Sequence, residues 1–134
     1  MGVFAEKLFE KLKCDEEFSD CIIKREYDHQ KIPFPLKNNM IIIGNETADE
    51  MSFLLGYDDV RVTGEKTVVT VMSDEKKGGI FCEQFAEKVC RKIFAADTEK
   101  MIISFSTEKC MYDKNAFAYK ITMKFGLTAF LRRD

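Results

Sequence analysis

The stretch Phe117-Ala118-Tyr119-Lys120-Ile121-Thr122-Met123-Lys124-Phe125-Gly126-Leu127 alternates large apolar residues with small or polar ones over eleven positions. A period of two marks a β-strand with one wet and one buried face, about 37 Å long at the usual rise per residue. Strands of five or six residues are the common case, so one of this length needs partners along all of it. The strand candidate just before it, Met101-Ile102-Ile103-Ser104-Phe105-Ser106, covers only about half of that length. The remaining apolar face must meet other strands, a helix or another subunit.

Working back from this strand, Thr107 to Lys114 joins the two candidates, with a turn expected at Tyr112-Asp113-Lys114-Asn115. Before them, Ile80 to Ala95 has the spacing of an amphipathic helix: Cys82, Phe85, Ala86, Val89, Cys90 and Ile93 form its apolar stripe, and Glu83, Glu87, Lys88, Arg91 and Lys92 its wet one. Thr67-Val68-Val69-Thr70-Val71-Met72 is β-branched at five of six positions and reads as a strand, preceded by Val60-Arg61-Val62 and a turn at Thr63-Gly64-Glu65-Lys66. Met40-Ile41-Ile42-Ile43, bounded by Asn39 and Gly44, reads as a central strand covered on both faces. Cys21 to Tyr27 is a further strand, and Pro33 and Pro35 force an extended approach to the next one. At the N-terminal end, Val3, Phe4, Leu8, Phe9 and Leu12 build a short amphipathic helix that should pack on the sheet.

The fold class that follows is α+β. One antiparallel sheet, with room for a mixed pair, carries two helices on one face in the order α-β-β-β-α-β-β. Residues 1–134 form a single domain, with an arm at 45–59, where Glu46, Asp49, Glu50, Asp58 and Asp59 surround Met51, Phe53, Leu54, Leu55 and Tyr57. That arm has two readings: a loop folded back over the core, or an apolar-centred segment that orders on a neighbouring subunit. Loops longer than about 12–15 residues without regular structure are uncommon unless they serve a function. Phe53, Leu54, Leu55 and Tyr57 are therefore the candidate residues for contacts with a partner.

Composition narrows the function classes. With 46% hydrophobic and 12% aromatic residues, 134 residues can bury about 65–70% of the unfolded surface. A net charge of −2, from 21 basic and 23 acidic residues, offers no field to hold a polyanion along an extended surface. The five cysteines, Cys14, Cys21, Cys82, Cys90 and Cys110, are odd in number and lack CxxC spacing, which fits a reduced compartment better than a disulfide framework or a zinc site. Charges at Glu6 and Lys7 stand where a secretory leader needs an apolar run, so no export signal is expected. Nor does any apolar stretch approach the roughly 20 residues that span a bilayer, and no membrane partner is expected.

No constellation announces a reaction. His29 is the only histidine and has no cysteine beside it in sequence. Cys82 and Cys90 occupy stripe positions, which suit small buried hydrophobes better than nucleophiles. Asp15-Glu16-Glu17, Asp58-Asp59 and Asp74-Glu75 lack the alternating spacing of an EF-hand loop and read as solvated carboxylates. Lys77-Gly78-Gly79 precedes a helix without the Walker pattern and reads as a strand-to-helix turn. No catalytic, cofactor-binding or metal-ligating residue is assigned.

The arrangement resembles the tail terminator group among the small tail-completion proteins of long-tailed bacteriophages and prophages. The residues that carry the likeness are Ile22-Ile23 before Tyr27, Ile32-Pro33-Phe34-Pro35-Leu36 leading into Met40-Ile41-Ile42-Ile43-Gly44, and Val68-Val69-Thr70-Val71. The helix Phe81 to Cys90 and the closing hairpin through Tyr112-Asp113 to Phe117-Ala118-Tyr119 complete it. The resemblance implies a non-catalytic protein that forms a ring, expected to be a hexamer. The ring would sit at the head-proximal end of the tail tube, stop its polymerisation and join it to the head. Its implied partners are copies of itself, tail-tube protein and head-tail connector proteins, with DNA only as passing cargo. Its implied places are the bacterial cytoplasm during assembly and the virion tail afterwards. Two other classes stay open on the same scaffold: a dimeric type III secretion chaperone that holds an extended protein segment, and a small-molecule enzyme with a polar pocket.

Overall fold

In a computed structural model that describes residues 2–26, 35–48, 60–127 and 130–133, the chain runs α1 (Val3–Lys13), β1 (Ile22–Arg25), β2 (Met40–Ala48), β3 (Val60–Asp74) and α2 (Gly79–Ala96). It continues through β4 (Ile102–Thr107), β5 (Met111–Asp113), β6 (Ala118–Leu127) and β7 (Phe130–Arg133). The fold is α+β, as the sequence pattern implies, with β5 and β7 added to the expected elements. Among the described residues no helix is long and apolar enough to cross a membrane.

The strand order is β1-β2-β3-β6-β4, with β5 alongside β6 and β7 alongside β3. The β1–β2 pair is parallel and every other pair antiparallel. From Thr67 to Met72, β3 is paired with β2 on one side and β6 on the other. Its odd-numbered residues Val69 and Val71 are fully buried. They share one core with Ile23, Ile41, Ile43, Ile121, Met123 and Phe125 from the other strands and with the inner residues of both helices. The two helices thus lie on one face of the sheet. On the opposite face a smaller cluster of Leu36, Met40, Met72, Ala116 and Ala118 closes one end. Ile22 and Ile42 pack half-buried against that cluster, and polar pairs also stand on this face: Thr70 and Thr122 lie 3.4 Å apart through their hydroxyls, and Lys124 pairs with Glu46 at 3.4 Å.

Alternation in β6 reads out this two-sided environment. Ile121, Met123, Phe125 and Leu127 are buried, while Lys120, Thr122 and Lys124 between them are half-exposed. In α1 the buried positions are Ala5, Leu8, Phe9 and Leu12. Val3, expected in that stripe, is 72% exposed, because the helical phase that turns Leu8 and Leu12 inward places Ala5 there instead. In α2, Cys82, Phe85, Ala86, Val89 and Ile93 are buried as expected and Cys90 is half-buried. Gly78 enters this helix with φ 85°, a conformation that glycine adopts without a side-chain clash.

Two turns fall elsewhere than their composition indicates. Thr63-Gly64-Glu65-Lys66 is not a turn: β3 runs through it, with Gly64, Glu65 and Lys66 paired to Ala48, Thr47 and Glu46. The cause is tertiary, since β2 continues past Gly44 and supplies a ladder partner, with Glu46 and Lys66 as opposed charges across it. The hairpin turn occupies residues 114–117 rather than 112–115. One Asp113 carboxylate oxygen accepts from the Asn115 and Ala116 amides at 3.0 and 3.3 Å, so Asp113 starts the turn.

Ion pairs tie the short connections to the helices. Arg25 stacks its guanidinium 4.0 Å from the Phe9 ring centroid and donates to the Glu6 carboxylate, linking β1 to α1. Ahead of β1, the single turn Glu16–Phe18 buries Phe18 edge-on against Phe85 at 6.1 Å. Lys92 holds Glu17 at 2.9 Å and Asp15 at 3.4 Å, and Lys88 reaches Glu17 at 3.3 Å. The amide of Glu17, and after it Lys92, holds the Asp15 carboxyl below its ordinary pKa; Lys92 and then Lys88 do the same for Glu17.

Two outcomes follow from this packing. Phe125→Ala removes a fully buried ring that touches Phe105 and Phe94 at 5.1 and 5.6 Å between centroids. It should cost about 3–5 kcal/mol in urea denaturation. The carboxylate pair contributes stability that is full above the ordinary carboxylate range and is lost as pH falls through the depressed folded values. Lys92→Met should therefore lower the urea midpoint at neutral pH, with the gap to the parent closing toward about pH 3. An unchanged gap would mean that Lys92 acts through packing alone.

Candidate assembly surfaces

Several of the groups with chemical potential have structural partners. Burial first, and neighbouring Cys110 after it, pushes the Cys82 thiol up to about 11. Burial and the adjacent Asp20 push Cys21 to about 11 as well. The Cys82 and Cys110 sulfurs lie 3.5 and 3.9 Å from the carbonyl oxygens of Tyr119 and Gly79, to which they donate weakly. Asp74 accepts from the Lys76 amide at 3.1 Å, and Glu75 accepts from the Tyr112 hydroxyl. Among the described residues no group of three or more His, Cys, Asp or Glu side chains is placed to hold a metal ion. His29, Asp58 and Asp59 lie outside the described residues, as do the candidate contact residues Phe53, Leu54, Leu55 and Tyr57.

Three surface features remain. The first is a ribbon. The apolar core takes Val69 and Val71 from β3, but that strand continues outward to Val60, paired with β2 as far as Gly64 and with β7 from Thr63 to Val60. From Gly126 to Phe130 the last strand advances four residues while β3 advances three, from Lys66 to Thr63. The sequence between Ala48 and Val60, which contains the four candidate contact residues, connects the two strands of this ribbon.

The second feature is the edge formed by β4 and β5. Phe105 of β4 and Phe94 of α2 meet edge-on at 5.8 Å between centroids, and both rings are substantially exposed. Ile103 of the same strand, the extra residue at the register shift between Ile102 and Ser104, is 66% exposed. The signal for β4 was present in the sequence, since the alternation of Ile103 and Phe105 with serines marks one strand, but periodicity does not tell an inner strand from an edge one.

The third feature is a slot of about 400 Å³ between the start of α1 and the end of α2. Its apolar lining comes from Phe4, Leu8, Ala96, Met101 and Leu127. Lys7 and Lys11, one helical turn apart on α1, line it together with Glu65, Thr98 and Glu99. Asp97 also borders the slot, but its two carboxylate oxygens accept from the Met101 and Ile102 amides at 2.8 Å each, which fixes the bend into β4. No sequence pattern pointed to this slot, because its lining is drawn from α1, β3, the end of α2 and β6, which meet only in the fold.

No protein-family model matches the chain, and no curated protein sequence matches it. Among solved structures, it is similar to a chain of the virion of a native gene transfer agent particle, at 12% identity over 91% of this chain and 90% of that one, with a TM-score of 0.48. A likeness of that size carries no argument about function.

Thiol exposure sets an order of reactivity. Iodoacetamide should alkylate exposed Cys14 first and reach buried Cys82 only on unfolding, as read by mass spectrometry of pulse-labelled protein. Rapid labelling of Cys82 in the folded chain would reopen the reactive-thiol reading.

Proposed function

We propose that this chain is a non-catalytic structural subunit of a phage-type tail, which closes into a ring, ends the tail tube and joins it to the head. The observation that carries the reading is the long run of β3 from Lys66 to Val60, paired first with the end of β2 and then with β7. Among the described residues, β3 past Lys66 is paired on one side at a time, to β2 at Glu65 and Gly64 and to β7 from Thr63 to Val60. A strand edge without a ladder partner is a place where another chain can pair or pack.

A symmetric ring needs two different patches on each copy, one meeting the other on the next copy. The ribbon with its connecting segment supplies one. The exposed Phe94, Ile103 and Phe105 edge and the slot between the helices are the available counterparts. The near-neutral charge suits a passage through which DNA slides without sticking, since a strongly basic lumen would retain it.

Light scattering after size exclusion over a concentration series, with negative-stain images of the same fractions, tests this. Rings, formed alone or on adding tail-tube protein, are the expected result. A stable dimer that never forms rings would favour the chaperone class, and a monomer inert to tube protein would remove the structural reading. Phe53→Ser with Leu54→Ser should leave the monomer folded and weaken assembly; unfolding of the double variant would place these residues in the core.

A further inference from the structure

Two thiols meet where the first turn of α2 crosses the sheet. The Cys82 sulfur lies 3.5 Å from the Tyr119 carbonyl oxygen, and the Cys110 sulfur 3.9 Å from that of Gly79, one turn before Cys82 on the helix. A Cβ at Gly79 would stand 3.7 Å from the Cys110 sulfur and 3.7 Å from the Tyr119 ring, so Gly79, Tyr119 and the two sulfurs form one contact group. The two thiols are hydrogen-bond neighbours within it. We infer that Cys82 and Cys110 form a reversible disulfide when a hydroperoxide reaches the folded chain, fastening the β4–β5 connection to the start of α2. Cys110 lies in that connection, outside both strands, so its backbone is free to turn to the geometry that a sulfur–sulfur bond requires.

Burial divides the roles. Cys82 is fully buried and Cys110 half-buried, so the oxidant meets Cys110 first. The Cys110 thiolate attacks the peroxide, the O–O bond breaks, hydroxide leaves, and a sulfenic acid forms. The Cys82 thiolate then attacks that sulfur and expels its oxygen as hydroxide. The protons of both thiols end on the two hydroxides, so two thiols and one hydrogen peroxide give one disulfide and two waters. The second step needs a donor to the buried Cys82 thiolate, and Ser73 supplies it. This residue of β3 is fully buried, lies against Cys82, and has no other partner for its hydroxyl. Cys21 and Cys90 lack this setting: their neighbours are Asp20 and Glu87, whose charges oppose a thiolate. A bond that forms only under oxidant agrees with the transient use of disulfides in reduced compartments.

Treatment of the full-length chain with hydrogen peroxide tests this, with remaining thiols blocked by N-ethylmaleimide and bridged peptides mapped by mass spectrometry without reduction. A Cys82–Cys110 bridge within one chain, reversed by dithiothreitol, is the expected main product. In urea the same treatment should scatter bridges over the five cysteines. The same distribution with and without urea would overturn the inference, as would bridges at other pairs, or Cys110 carried to sulfinic acid beside an intact Cys82 thiol. In Cys110→Ser, shown to be folded by circular dichroism, Cys82 should persist as a thiol; its oxidation at the parent's rate would remove Cys110 from the path. The bridged chain should also unfold at a higher urea midpoint than the reduced one, because the bond constrains the unfolded state. An unchanged or lower midpoint would mean that the bond strains the fold, against the geometry argued above.

Discussion

Everything in this fold depends on the pairing of β3 along both of its edges. From Thr67 to Met72 the strand is hydrogen-bonded to β2 on one side and β6 on the other, and its odd residues Val69 and Val71 face the helices. A slip of one residue would send both valines to the polar face and bring Thr70 and Val68 into the core. Register is therefore set by burial. Once it is set, Ile41, Ile43, Ile121, Met123 and Phe125 have fixed positions, and the two helices have one continuous apolar surface to cover.

What could be read from the sequence was what periodicity encodes. The long alternation ending at Leu127 gave the last inner strand and its faces, and the stripe from Cys82 to Ile93 gave the long helix. Pairing over long range was harder to read. Thr63 to Lys66 has the composition of a turn, yet β2 runs opposite it and keeps it extended. The parallel β1–β2 pair could only be allowed for, because direction depends on how the intervening chain returns. The candidate contact residues Phe53, Leu54, Leu55 and Tyr57 were chosen for apolar content among acidic neighbours, and they lie outside the described residues. The slot was invisible for a different reason, since its lining comes from elements far apart in sequence.

The two faces of the sheet do different work. The helix-bearing face buries nearly all of its large side chains, and the opposite face mixes threonine pairs with lysines and carboxylates. Cys82 and Cys110 donate to carbonyls, Asp97 and Asp113 accept from amides, and Asp15 and Glu17 are held by lysines, so these groups serve the fold. Among the described residues, exposed aromatic rings stand at the rim of the sheet, where Phe94 meets Phe105.

The irregularity of that open edge has its own consequence. β4 carries an extra residue at Ile103 relative to β6, and a second falls between Thr107 and Met111, where β4 advances four residues against three. An extended chain laid along this side meets regular spacing only from Ser104 to Thr107. Short edge strands and bulges blunt an edge against pairing with another chain. The side of the sheet that carries Phe105 is thus a poor template for strand addition, and its exposed ring is available for recognition with less hazard of self-stacking.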